Sequence, residues 1–118
     1  MAYISPAAGA FNPIGNTVTF LGNTAAPTAI QAVGTTANIN YSYCQYRIFN
    51  SGSYLTFIGY GSSATIANNN AIVVSTSNTG LPILPGTVEI ISAPANSYFT
   101  GITASGTSQI YVTTGLGV

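Results

Sequence analysis

Charged side chains are almost absent from this chain. Among its 118 residues, Arg47 is the one basic residue, Glu89 is the one acidic residue, and neither His nor Trp occurs. An ordinary soluble domain has about 25% charged residues, whereas this chain has 2%. General acid–base catalysis needs a positioned His, carboxylate or amine, a protein-built metal site needs several ligands, and a nucleic-acid surface needs a basic patch. The composition therefore predicts a protein that is not an enzyme, uses no metal or cofactor and binds no nucleic acid.

Disulfides and long apolar runs are missing as well. The single cysteine, Cys44, cannot form a disulfide within the chain, and its aromatic surroundings predict a small buried hydrophobe. No stretch approaches the roughly 18 consecutive apolar residues of a membrane-spanning helix. The first residues lack the basic and apolar regions of a signal peptide. We therefore expect a soluble protein that is made in the cytoplasm, is not exported by a signal peptide and contacts no membrane.

Uncharged polar residues fill the place of the missing charges. Ser, Thr, Asn and Gln make up more than a third of the chain, and 13 Gly and 6 Pro are spread among them. Runs of β-branched and aromatic residues alternate with turn-forming clusters at intervals of roughly 8–12 residues, as in sandwiches and barrels. The pattern predicts an all-β fold, a single compact antiparallel β-sandwich or jelly roll with about eight or nine short strands. Residues 1–16 are predicted to be an extended N-terminal arm, and residues 17–118 the sandwich domain.

The local patterns also predict individual elements. One helical turn is expected around Ala64–Asn68, and the two prolines of Leu81–Gly86 exclude that segment from the centre of a sheet. Cys44–Asn50 and Tyr54–Tyr60 are predicted to form a β-hairpin, and Ser97–Ile102 to pair back onto Thr87–Ser92. The remaining predicted strands are Thr17–Leu21, Ala29–Val33, Ala37–Tyr41, Ala71–Ser75 and Ser108–Thr113.

Aromatic residues on both faces of the predicted hairpin suggest self-association. A net charge near zero permits the close approach of protein surfaces, and aromatic residues are enriched at interfaces where Lys and Glu are depleted. The hairpin is therefore either central in the sandwich with partly exposed tyrosines, or covered by another subunit; carbohydrate stacking on exposed tyrosines is a third interpretation. The candidate subunit-interface residues are Tyr46, Phe49, Tyr54, Tyr60 and Phe11.

The two charged residues form a further candidate site. Arg47 and Glu89 both fall inside predicted strands, where neighbouring strands could bring them together. We predict that they form an ion pair, either within one subunit or between two subunits. An exposed pair of this kind contributes about 0–1 kcal/mol.

Three stretches carry a resemblance to a known group of proteins. They are Gln45–Gly52 followed by Phe57–Gly61, then Leu84–Ile91, and finally Tyr98–Gly106 followed by Ile110–Thr113. Together they resemble small proteins encoded near the head genes of tailed bacteriophages, over a span from about Asn12 to Gly117.

The resemblance implies a virion structural protein, such as a capsid cement or decoration protein on the outer capsid surface. Its expected partners are the major capsid protein and copies of itself in a homo-oligomer, for which a trimer is one option. A tail, collar or fibre-associated component, or a surface carbohydrate-binding module, is the alternative.

Overall fold

The structure, a computed structural model, describes residues 11–33, 43–73 and 80–117. Eight strands and one helix occur within these residues. In chain order they are β1 (Phe11–Gly22), β2 (Ile30–Gln31), β3 (Tyr43–Asn50), β4 (Thr56–Gly61), α1 (Ala64–Asn70), β5 (Leu81–Ile83), β6 (Val88–Pro94), β7 (Tyr98–Thr103) and β8 (Ser108–Gly117).

The strands form two antiparallel sheets of four strands each. The first sheet has the order β1-β8-β3-β6, and the second has the order β2-β7-β4-β5. The chain thus behaves as one long hairpin in which β1 pairs with β8, β2 with β7, β3 with β6 and β4 with β5. Rolling this hairpin up adds the pairs β3–β8 and β4–β7. The arrangement is a jelly roll, which confirms the predicted all-β antiparallel sandwich.

Both hairpins predicted from the sequence are wrong. β3 lies in the first sheet and β4 in the second, and β6 and β7 are divided in the same way. Consecutive strands at these points therefore pack face to face across the core. The turn residues were recognised correctly, but the chain uses these turns to cross between the sheets and not to reverse within one sheet.

A buried asparagine holds the crossing between β3 and β4. Asn50 is fully buried at the end of β3. Its Nδ2 donates hydrogen bonds to the carbonyl oxygens of Tyr54 at 2.8 Å and Ile83 at 3.0 Å. Its Oδ1 accepts from the amide of Gly52 at 3.1 Å and from the hydroxyl of Ser108 at 3.0 Å. The side chain thereby ties the crossing segment to a strand of each sheet, β5 and β8.

The core lies between the two sheets, and along β3 its residues alternate strictly with outward-facing ones. Tyr46 and Phe99 meet across it with ring centroids 4.9 Å apart, and Ile48, on the same face of β3 as Tyr46, is also fully buried. Cys44 is buried on the same face, which confirms its predicted place. Burial raises the pKa of the Cys44 thiol above its ordinary value, so the neutral form is favoured.

The short helix covers part of the outer side of the second sheet. The side chain of Ser63 caps its N-terminus by accepting a hydrogen bond from the amide of Ile66 at 3.2 Å. A Cβ atom at Gly59 of β4 would collide with the backbone of Ala67 and Ala71, so glycine is required for this close approach. The predicted helical turn around residues 64–68 is confirmed and extends to Asn70.

Several element boundaries differ from the sequence predictions. Residues 11–16, which the sequence places in the arm, form the first half of β1 and pair with the end of β8, with a register shift between Pro13 and Thr17. Of the predicted strand Ala71–Ser75, residues 71–73 follow the helix without forming a strand, and residues 74 and 75 lie outside the described residues. β5 contains Pro82 and is an edge strand, as expected for a strand with a proline. The predictions for residues 1–10 and for Ala37–Tyr41 lie outside the described residues.

The Asn50 network generates a prediction about stability. Replacing Asn50 by Ala should lower the free energy of unfolding by about 3 kcal/mol, because the carbonyl of Ile83 loses its side-chain donor and several buried groups are left unsatisfied. Urea unfolding followed by circular dichroism measures the change. Asn70→Ala is the control, since within the described part of the chain this half-buried side chain makes one bond, to the carbonyl of Tyr60 at 3.2 Å, and should change stability by about 1 kcal/mol or less. Equal effects of the two substitutions would contradict the role of Asn50.

A buried hydroxyl on β8 generates the opposite prediction. Thr114 is fully buried, and its Oγ1 has no hydrogen-bond partner among residues 11–33, 43–73 and 80–117. Thr114→Val keeps the shape and removes this unsatisfied group, so the free energy of unfolding should rise by about 1 kcal/mol. Thr103→Val is the matched control, because the Thr103 hydroxyl donates to the carbonyl of Gly106 at 2.6 Å, and its loss should lower stability by about 1 kcal/mol. A destabilising Thr114→Val would show that this hydroxyl is satisfied in solution.

Candidate functional site

The outward side of the first sheet is the candidate site. Along β3, buried residues alternate with outward-facing ones, so Tyr43, Gln45, Arg47 and Phe49 point away from the core. No helix or strand among residues 11–33, 43–73 and 80–117 packs over this side, whereas α1 packs on β4 and β7 of the second sheet. We call this surface the outer face; its members are Leu21, Thr17 and Thr19 on β1, Tyr43, Gln45, Arg47 and Phe49 on β3, Val88, Ile90 and Ser92 on β6, and Gln109, Tyr111 and Thr113 on β8.

Strand register arranges the outer face in rows across the sheet. One row runs from Val88 through Phe49 and Tyr111 to Thr19. The rings of Phe49 and Tyr111 stack in this row with centroids 6.4 Å apart and an angle of 23° between their planes. The middle of the sheet is therefore covered by a pair of aromatic rings that lie in a row with a valine.

The next row contains the positive charge. Arg47 lies between Ile90 on β6 and Thr113 on β8, with Thr17 at the end of the row. The hydroxyls of Thr17 and Thr113 are 2.7 Å apart and hydrogen bond with each other. Arg47 is exposed. The other charged side chain of the protein, Glu89, lies opposite Ile48 of the core and therefore does not belong to this face.

Large apolar side chains are exposed across the outer face. Tyr43 is 59% exposed and Ile90 is 44% exposed, and Leu21, Val88 and Tyr111 are exposed as well. Clusters of exposed apolar residues on a soluble protein are typical of binding surfaces. The face has the composition of an interface core, with aromatic residues and one arginine and without Lys or Glu.

The predicted ion pair does not form within the chain. Arg47 is opposite Ile90, and Glu89 is opposite Ile48, whose side chain is in the core. Because side chains directly opposite each other share a face, Glu89 points to the inner side of the sheet and Arg47 to the outer side. Glu89 is nevertheless exposed, since β6 is an edge strand and this position lies at its rim. Pairing between subunits stays a prediction.

Two of the five candidate aromatic residues belong to the core. Tyr46 is fully buried, and its hydroxyl donates to the carbonyl of Pro94 at 2.8 Å and accepts from the amide of Ser97 at 3.3 Å. Desolvation by burial raises the pKa of Tyr46. Tyr60 is half-buried and stacks on Phe99 with centroids 6.0 Å apart. Tyr46 is therefore wrong as an interface residue in the folded subunit, and Tyr60 packs inward.

The other candidates are accessible but lie on different surfaces. Phe49 is part of the outer face, and Phe11 packs its ring over Gly115 of β8 on the same side of the sheet. Tyr54 is exposed on the crossing segment and packs over Gly106 of the β7–β8 turn, whose φ of +75° favours glycine. There it lines a cavity of about 250 Å³, together with Leu55, Phe57, Val73, Ala104 and Ser105.

Most of the outer face could not be predicted from the sequence. Phe49 and Arg47 are among the sequence-predicted candidates, whereas Tyr43, Tyr111 and Ile90 are not, although they are more exposed than Phe49. Alternation within a strand shows only that successive side chains lie on opposite faces of the sheet. It does not show which strands are neighbours, and β3 adjoins β6 and β8 and not β4.

Comparisons with known proteins do not assign this surface a role. No family model, curated protein or solved structure matches the chain. The part of the chain that the structure describes contains no helix with the length and apolarity needed to cross a membrane. The resemblance to phage head-region proteins therefore stays a hypothesis, and the outer face is the feature of the structure from which a function can be proposed.

Proposed function

We propose that this protein is a structural protein of a tailed-phage virion, a capsid cement or decoration protein that binds the major capsid protein and copies of itself on the outer capsid surface. The observation that carries the proposal is the outer face, where several large apolar side chains are exposed around one charge. The jelly roll is compatible with this role, because viral capsid domains use it, although one fold serves many functions.

The proposed mechanism is mechanical. Covering Tyr43, Tyr111 and Ile90 removes apolar surface from water, which stabilises a contact by about 25 cal/mol for each Å². Many copies on one particle act together, because binding at one point raises the effective concentration for binding at the next. The near absence of charge removes long-range repulsion between copies. A thin layer of such subunits would brace the shell without any chemical step.

A carbohydrate-binding function is the second candidate, and one observation favours it. Tyr54 is exposed beside the cavity of about 250 Å³, where Ser105 supplies a hydroxyl. An exposed tyrosine ring can stack on a sugar, and jelly rolls also serve as lectin domains. This site is separate from the outer face, so Tyr54→Ala should abolish binding on a glycan array if the second candidate is correct, and Ile90→Lys should not.

The proposed docking face leads to a prediction about particle binding. Purified protein should bind capsids that lack it, and Ile90→Lys should weaken this binding at least about tenfold, because it places a charge in the apolar contact that the outer face makes with the shell or with the next bound copy. Ile66→Lys is the matched control: Ile66 lies on α1 and is also 44% exposed, so the substitution has the same chemistry on another surface. Co-sedimentation measures binding, and thermal unfolding verifies that both variants fold.

Three outcomes would contradict this prediction. Equal weakening by both substitutions would remove the outer face from the proposal. A few copies per virion by mass spectrometry, compared with the major capsid protein, would indicate a tail, collar or fibre component. Ready release of the protein when salt is raised would also count against the proposal, since a contact with so little charge should be only weakly screened.

A further inference from the structure

The two charged side chains lie on opposite faces of one sheet, and this arrangement restricts how copies of the chain can associate. Arg47 points outward from β3, and Glu89 points to the inner side of the neighbouring strand β6. Both are exposed. The single positive and single negative side chains of the subunit are therefore close together in the sheet but accessible from opposite directions.

Arg47 needs a negative partner when the outer face is covered. It is surrounded by Ile90 and Thr113 in its own row and by Phe49 and Tyr111 in the adjacent row. Covering these groups lowers the local dielectric constant, and a charge that is removed from water without a partner is strongly disfavoured. In a second copy of this chain, the one acidic side chain is Glu89.

A contact between two identical outer faces does not provide that partner. Stacking two outer faces about a two-fold axis would enclose both Arg47 side chains, while both Glu89 side chains would point away from the contact. The acidic side chain becomes available only if the rim of β6 approaches the outer face. Among the described residues the rim is open to approach, because β6 is the edge strand of the first sheet there and pairs with β3 alone.

We propose that copies of this chain associate head to tail, with the β6 rim of one copy docked on the outer face of the next, so that Glu89 of the first pairs with Arg47 of the second. Such a contact joins two different surfaces and repeats from copy to copy, and it closes into a ring if the rotation between successive copies permits closure. The inference rests on the self-association that is part of the proposed function. It adds the two surfaces that meet and the direction of assembly.

Charge reversal tests the contact. Arg47→Glu and Glu89→Arg should each lower the apparent association constant at least about tenfold, because every contact then juxtaposes like charges. The double variant Arg47→Glu/Glu89→Arg restores opposite charges at every contact and should recover the assembly. Native mass spectrometry and light scattering after gel filtration measure the oligomer, and circular dichroism verifies the fold.

A charge control separates the contact from net repulsion. Arg47→Glu changes the net charge of the chain by two units, and so does Ser62→Glu/Thr65→Glu at two exposed positions beside and within α1. The control should leave association unchanged. Equal loss of association in this control and in Arg47→Glu would overturn the proposal, and so would a double-reversal variant that stays dissociated.

Mixing the two single variants tests whether residue 89 of one copy meets residue 47 of another. Each variant alone has like charges at every contact, but strictly alternating copies have opposite charges at every contact. An equimolar mixture should therefore form rings that contain both variants, with complete recovery in a ring of even number and one repulsive contact left in a ring of odd number. Absence of mixed oligomers would overturn the proposal, as would a two-fold dimer of the unsubstituted chain.

The result can be distinguished from failure of the proposed function. If the unsubstituted chain is a monomer at high micromolar concentration but binds capsids in many copies, the head-to-tail contact is wrong and the capsid-binding proposal stands. If the chain forms rings that depend on Arg47 and Glu89 but do not bind capsids, the contact stands and the capsid-binding proposal is wrong.

Discussion

The hydrogen-bonded side chain of Asn50 is the constraint on which the architecture depends. At the end of β3 the chain leaves one sheet and enters the other, and this change of direction leaves backbone carbonyls and amides inside the protein, where water cannot satisfy them. The Asn50 side chain has both donors and acceptors, so one residue satisfies groups on the crossing segment, on β5 and on β8. An apolar residue of the same size would fill the space but leave these groups without partners.

The position of β3 relative to β4 follows from this junction, and with it the division of the molecule into a core and an outer face. Because Asn50 and Tyr46 lie on the same side of β3 and are both buried, Arg47 and Phe49 must lie on the other side. The polar junction and the apolar outer face are thus two sides of one strand. The hydrogen bonds of Asn50 therefore lie in the interior, and the Phe49 ring lies on the opposite, outward side of the same strand.

Most of the strands could be predicted from the sequence, but their pairing could not. Alternation in Cys44–Asn50 and the turn residues after it identify β3 and the crossing segment correctly. Local rules favour pairing with the next strand along the chain, whereas in this jelly roll β3 pairs with β6 and β8. The candidate site depends on the same information: period-two alternation shows that Tyr46 and Arg47 face opposite ways, but not which of them is in the core, nor that Glu89 is on the side opposite to Arg47.

The pairing of the first strand with the eighth has a consequence for biosynthesis. Thr17 and Thr113 hydrogen bond across 96 positions of sequence, and folds dominated by such distant contacts form slowly. A nascent chain that has not yet released β8 from the ribosome lacks the strand that lies between β1 and β3. It cannot display Tyr111 beside Phe49, so the complete outer face forms only after translation has passed Gly117. Incomplete chains therefore lack this surface.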